Sequence, residues 1–211
     1  MWRRRPKRPV LAELPARRGA PRRAGALGRA ELAAFAGLAE ALSAHRAVLA
    51  IGPERSAVAL GLAAAATADG RRAALLECDL AAPALAATLG LEPSPGLGEY
   101  LREEAETSEI LQPLVLAGPA SGRATEPLAC VVAGEPVAAP AALIDSERCD
   151  RAIAGLGRVY ELLVIAGPAL DEDADALQAL AEHAGATIAC GAPREIPRRL
   201  PVAVEGLVAV G

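Results

Sequence analysis

Five short apolar runs, each stopped by turn residues and separated by Ala/Leu-rich stretches, limit most narrowly what this chain can fold into. They are Ala47–Ile51, Ala73–Leu76, Ala129–Gly134, Leu162–Ile165 and Ala186–Ala189. Runs of this length that are apolar throughout, rather than alternating, belong to strands covered on both faces. Helical spacing predicts helices over Arg29–Ala44, Ser56–Asp69 with Gly70 as its C-cap, Pro83–Gly90, Pro140–Leu156 and Asp173–His183. Shorter helices are expected around Glu99–Glu104, after the Pro93–Gly98 turn, and near Ser108–Gln112. Residues 113–127, with Pro, Gly and Ser, read as a loop, and Val202–Val210 as a last strand. Strands alternating with helices predict an α/β fold: a mostly parallel sheet with helices on both faces, a three-layer sandwich. The core must be built from small side chains, because aromatics make up only 2% of a chain that is 53% hydrophobic.

Charge divides the chain in two. Residues 1–25 hold nine Lys/Arg (Arg3, Arg4, Arg5, Lys7, Arg8, Arg17, Arg18, Arg22 and Arg23) against one acid, Glu13. Removing these from the totals of 22 Lys/Arg and 26 Asp/Glu leaves 13 basic and 25 acidic residues for the remainder. We therefore expect residues 1–28 to be a basic, Pro-containing, disordered arm, and residues 29–211 to be one domain. Such an arm is either a solvated tail or an electrostatic tether to anionic membrane, nucleic acid or an acidic partner. Cys78, Cys130, Cys149 and Cys190 lack CxxC spacing, so neither a disulfide framework nor a structural metal site is expected. No apolar run approaches the roughly 20 residues of a membrane-spanning helix. Pro6-Lys7-Arg8 stands where a signal peptide would need an apolar stretch. The expected location is the cytoplasm, or its membrane face if the arm is a tether.

In a parallel α/β sheet, ligands bind beyond the C-terminal ends of the strands, and the first strand-to-helix turn is the phosphate site. Here that turn is Gly52-Pro53-Glu54-Arg55-Ser56. A phosphate cradle needs glycines whose N–H groups can wrap the anion, a Lys on the β/γ-phosphates and a hydroxyl on Mg²⁺. The position fits, but the string GxxxxGK[ST] is absent.

Four further segments carry a resemblance. Gly70-Arg71-Arg72-Ala73-Ala74-Leu75-Leu76-Glu77-Cys78-Asp79-Leu80 is similar to the "GKRVLLIDADL" segment of bacterial tyrosine kinases of capsule and exopolysaccharide synthesis. Pro83, Leu85 and Leu89-Gly90-Leu91-Glu92-Pro93-Ser94-Pro95-Gly96-Leu97-Gly98-Glu99-Tyr100-Leu101 resemble that family's "RRPSL…LGLPNEPGLSDVL". Val132-Ala133-Gly134…Pro140-Ala141-Ala142-Leu143…Ser146-Glu147-Arg148 resembles "LPAG…NPAELL…SER". Tyr160-Glu161-Leu162-Leu163-Val164-Ile165-Ala166-Gly167-Pro168 resembles "YDYVIIDTPP". The matches run in order over roughly residues 45–190. They imply a P-loop NTPase fold of the ParA/MinD type.

The resemblance places the P-loop Lys on Arg55, the preceding Gly on Glu54, and the Ser/Thr pair on Ser56 and Ala57. Gly52 would open the loop. Arg keeps the charge but is longer and planar. Glu54 sets a carboxylate beside the phosphates, a repulsion on the order of 4 kcal/mol per charge at about 4 Å. Glu77 takes the position of one catalytic Asp and Asp79 retains the second, while the arginines that follow are replaced by Ala81 and Ala82. Read apart from the resemblance, Glu77 and Asp79 are two carboxylates capping a strand end. The Walker-B Asp, which holds Mg²⁺ through water, falls on Ala166. Phosphoryl transfer depends on that ion. The family's C-terminal tyrosine cluster is absent, Tyr100 and Tyr160 being the only tyrosines. Glu31, Ala34 and Gly37 stand at its E-x-x-R-x-x-R ring-assembly pattern. His45 and His183 have no Ser or Cys partner motif, and Asp171-Glu172-Asp173 reads as a helix N-terminal charge cluster.

The expectation is a catalytically degenerate relative of these kinases, a regulatory or scaffolding component of polysaccharide synthesis or export. It would have no cofactor, or weak ATP/ADP with Mg, and its partner would be a membrane co-polymerase or an active homologue. One alternative is a divergent active kinase or ATPase using Arg55, Ser56, Glu77 and Asp79. Another is a ParA/MinD-like positioning factor whose arm touches DNA or membrane.

Overall fold

Apolar runs without alternation bury both faces of their strands, and the sheet is built that way. A computed structural model describes residues 8–14, 29–115, 126–170 and 174–210, without the side chains of residues 29–31. Its strands are β1 (Val10–Leu14), β2 (Ala47–Ile51), β3 (Ala73–Glu77), β4 (Leu111–Leu114), β5 (Leu128–Val131), β6 (Leu162–Ala166), β7 (Ala186–Cys190) and β8 (Gly206–Val210). The helices are α1 (Arg29–Ala41), α2 (Arg55–Ala68), α3 (Leu85–Leu89), α4 (Leu97–Leu101), α5 (Thr107–Ile110), α6 (Ala141–Ile144), α7 (Glu147–Val159) and α8 (Ala174–His183). One eight-stranded sheet runs in the order β1-β8-β7-β2-β6-β3-β5-β4. Every pairing is parallel except that of β4 with β5.

Residues alternate between the two faces with the period of a strand. Val48, Ala50, Leu75, Val164, Ala166 and Ile188 share one apolar cluster with Leu38 of α1 and Leu62 of α2. Leu49, Ile51, Leu76, Ile165 and Ala189 share the other with Leu101 of α4, Ile153 of α7 and Leu177 of α8. The three-layer sandwich expected from the sequence is therefore present. All four cysteines are buried in these layers.

Four details depart from the expected elements. Val10–Leu14 falls inside the segment read as a disordered arm, yet it pairs with β8 as an edge strand, and Leu14 is buried. Leu111–Leu114, expected as the end of a helix and the start of a loop, pairs antiparallel to β5. Pro113 is tolerated there because an edge strand need not donate on its open side. The single helix expected over Pro140–Leu156 is two: Ser146 ends the first by donating to the Leu143 carbonyl at 2.6 Å, and caps the second by accepting from Cys149 N–H at 3.2 Å. The strand expected to continue to Gly134 stops at Val131, because the Val132 and Ala133 carbonyls accept the N–H groups of Leu97 and Gly98.

Helix α1 lies close on α2 because Gly61 has no side chain. A Cβ there would stand 2.2 Å from the Phe35 ring. Gly61→Ala should cost about 1–3 kcal/mol through overpacking. Urea unfolding would measure the loss, and Phe35→Leu in the same chain should recover most of it. A neutral Gly61→Ala would mean the helices are not in this contact.

Candidate functional site

Strands β2, β6 and β3 are neighbours at the centre of the sheet, so their C-terminal ends bring Gly52, Gly167 and Asp79 together. The connection from β2 to α2 is three residues, Gly52-Pro53-Glu54. Gly52 is required here: its φ is +103°, and a Cβ would lie 2.5 Å from the Cys190 carbonyl oxygen. A phosphate-wrapping loop presents successive free N–H groups to an anion. In this turn Pro53 has none, Glu54 N–H donates to the Cys190 carbonyl at 3.2 Å, and Arg55 N–H donates to the Gly52 carbonyl at 3.2 Å. Helix α2 begins at Arg55 without a side-chain cap, and Ser56 and Ala57, both half-buried, form its first turn.

Arg55 occupies the space in front of that turn. Its Nε donates to the Gly167 carbonyl at 2.7 Å and its Nη1 to the Gly52 carbonyl at 3.1 Å. Its Nη2 pairs with Asp79 Oδ2. The other Asp79 oxygen accepts Ala82 N–H at 3.2 Å. The pair is largely withdrawn from solvent, with side-chain exposures of 16% for Arg55 and 4% for Asp79.

Glu77 is fully buried at the end of β3. Its Oε1 accepts the N–H groups of Ala84 at 2.7 Å and Leu85 at 2.8 Å, which cap α3, and its Oε2 accepts Ala133 N–H at 3.0 Å. Burial pushes its pKa above the usual carboxylate range, and these three donors pull it back. Ala166 faces the core under α2 with no exposed surface, in register with Glu77. Its carbonyl accepts Cys78 N–H at 2.8 Å.

The structure thus gathers Gly52, Glu54, Arg55, Ser56, Ala57, Glu77, Asp79 and Ala166 at one end of the sheet. Asp171–Asp173 lie outside the described residues. His183 instead pairs with Asp150 at 2.8 Å across α7 and α8. Sequence reasoning missed the partners of the charged groups, the carbonyls of Gly52, Gly167 and Cys190 and the N–H groups of Ala84, Leu85 and Ala133. Backbone groups leave no signal in residue identity. Among the described residues no group of three or more His, Cys, Asp or Glu is placed to hold a metal ion.

No family model and no curated protein matches this chain. Solved structures do. The kinase domain of the Escherichia coli tyrosine kinase ETK superposes with a TM-score of 0.78 at 16% identity, covering 96% of this chain and 89% of that one. The BceF tyrosine kinase domain gives 0.77 at 18% identity, covering 97% and 93%. Cobyrinic acid a,c-diamide synthase from Mycobacterium smegmatis, solved with bound ADP and magnesium, gives 0.51 at 22% identity, covering 67% and 58%. The chain therefore has the fold of the bacterial tyrosine kinase domains, a P-loop NTPase fold.

Both Glu77 oxygens face donors, so an amide must turn its NH₂ toward at least one of them. Glu77→Gln should destabilise the protein by about 1–3 kcal/mol, the cost of unpaired buried groups. Chemical denaturation at pH 7 would show it. An unchanged midpoint would mean that Glu77 does not hold α3 and β5 in place.

Proposed function

We propose that this chain is a catalytically degenerate member of the P-loop NTPase group, related to the capsule and exopolysaccharide tyrosine kinases, that works by binding partners. The observation that carries the reading is the three-residue turn in front of α2, where Pro53 has no N–H, those of Glu54 and Arg55 are spent, and the Arg55 guanidinium fills the open side. A magnesium nucleotide does not fit these residues. Its phosphates would need the N–H groups of the turn, and its metal would need a carboxylate where Ala166 stands and oxygens that Glu77 and Asp79 have given to other partners. Glu54 adds a negative charge at the same place.

The tyrosine kinase domains with this fold support a role beside such an enzyme, as a regulatory or scaffolding component in polysaccharide synthesis or export. A membrane co-polymerase or an active homologue is the partner of this reading, and the cytoplasm or its membrane face the place. Among the described residues no helix is long and apolar enough to cross a membrane. The competing reading is a working ATPase or kinase. The ADP and magnesium of the cobyrinic acid synthase favour it, as do the N–H groups of Ser56 and Ala57 in the first turn of α2, which have no i−4 carbonyl within the helix. It requires Arg55 to abandon Asp79.

Mg·ATP in a thermal melt separates the two. Ligand at a hundredfold excess over its Kd stabilises by about 2.7 kcal/mol, which at this length raises Tm by roughly 2–4 °C per kcal/mol. We expect no shift at millimolar Mg·ATP, and a clear shift would sink the degenerate reading. The triple variant Glu54→Gly, Arg55→Lys, Ala166→Asp should gain a shift the native chain lacks, since it restores three of the lost groups.

A further inference from the structure

The two margins of the sheet carry opposite charge. Strand β1 ends the sheet on one side and β4 on the other. The sequence around β1 is basic: Arg3, Arg4, Arg5, Lys7 and Arg8 precede the strand and Arg17 and Arg18 follow it, with Glu13 the one acid. Arg8 Nη1 donates to the Pro197 carbonyl and Nη2 to the Arg198 carbonyl, both at 3.2 Å. That contact brings the exposed Arg198 and Arg199 beside β1, and Glu195 and Glu205 are the acids of the same connection. The bonds are to neutral carbonyls, so they fix the guanidinium without cancelling its charge. Around β4 the exposed charges are acidic. Glu106 and Glu109 lie just ahead of the strand. Glu92 is tied to it by the Gln112 amide, which accepts Glu92 N–H at 2.9 Å and donates to the Glu92 carbonyl at 2.8 Å. The one base between α4 and β4, Arg102, is already paired with Glu99 and Glu104.

The register sets the two groups at one height. Val10 pairs with Leu207, Leu207 with Ala189 and Ala189 with Ile51, so Arg8 and the start of β1 lie near the end of β2. Leu111 pairs with Val131, which is level with Leu76, Ile165 and Leu49. Because β4 runs antiparallel, Glu106 and Glu109, which precede Leu111, lie toward that same end. Eight strands at about 4.8 Å hold the margins roughly 34 Å apart. Salt screens exposed charges over about 10 Å at 0.1 M, so the two groups do not meet within one molecule. Residues 1–7 span at most about 25 Å when fully extended and do not bridge them.

We propose that the β1 margin of one copy of this chain docks against the β4 margin of the next, a head-to-tail association held by charge. A nucleic acid or an anionic bilayer would account for the basic margin alone. A second copy accounts for both margins and for their common height. Unlike surfaces that meet in this way build a ring or an open chain, not a twofold dimer. Pro113, with no N–H to offer, guards β4 against joining a second sheet. The contact is therefore made by exposed side chains and depends on salt. It does not run through the outer face of α1, where Gly37 stands in open space.

Sedimentation velocity of the full chain, with and without nuclease treatment, tests this. The mass should rise with protein concentration at 50 mM salt and stay that of one chain at 500 mM, as exposed charges are screened. E106Q/E109Q and R198Q/R199Q should each weaken association about threefold or more, with unchanged melts to show that the fold survives. Mixed together, the two variants should form dimers of native affinity, because each keeps the margin that the other has lost. Gly37→Gln should associate like the native chain. A mass that stays at one chain at 50 mM salt overturns the proposal, and so does an association lost to nuclease. E106Q/E109Q associating like the native chain also overturns it, since the acidic margin would then be idle. Loss of association in Gly37→Gln would put the contact on α1 instead. Retention on phosphatidylglycerol vesicles by a chain that sediments as a monomer would assign the basic margin to a bilayer and overturn it too.

Discussion

The guanidinium of Arg55 joins the ends of three strands that the chain reaches at widely separated points. It accepts no bond and donates to Gly52 after β2, Gly167 after β6 and Asp79 after β3. The Gly52 carbonyl also accepts the Arg55 N–H, while the Gly167 carbonyl and Asp79 Oδ2 meet the guanidinium as donor. A planar group with donors in a fixed fork can meet all three; a lysine ammonium, a single point charge, cannot replace it in this geometry. The pair with Asp79 is costly to desolvate, and its Coulombic gain is partly spent on that cost. The two carbonyl bonds add to the pair, so that three of the five guanidinium N–H groups have partners. Removing Arg55 would leave a buried Asp79 carboxylate without its counter-charge.

Glu77 does the same work one position away with the opposite sign. An acceptor-only carboxylate at the end of β3 faces three N–H groups, two at the start of α3 and one just beyond β5. The five-residue α3 is too short to hold its place by its own ladder, so the carboxylate fastens it to the sheet. Arg55 and Glu77 thus act as two fasteners for the fold at the ends of the central strands. Charges committed to these partners must leave them before they can meet a ligand, and in this arrangement they serve the rigidity of the strand ends.

Most of the architecture was legible because the central strands are buried on both faces. Ala47–Ile51, Leu162–Ile165 and Ala186–Ala189 can be nothing else, and the parallel order follows from the helices between them. The edges were not legible. Val10–Leu14 sits among arginines and prolines, and Leu111–Leu114 contains a proline; both are strands only because a neighbour offers an open ladder. The site was legible in its position and not in its wiring. Glu54, Arg55, Glu77, Asp79 and Ala166 could be placed by resemblance, since strand ends are marked by where apolar runs stop. The carbonyls and N–H groups they bond are common to every residue, and the shortness of the turn, the decisive fact, was masked by the match of the residues around it.

A parallel sheet gives the surface of this fold a built-in polarity. All but one of the strands run the same way, so any bias in the residues that open or close them accumulates on one edge. Here Arg46, Arg71 and Arg72 open central strands, while Glu54, Asp79 and Glu135 follow them. No single position creates the asymmetry; the topology collects it.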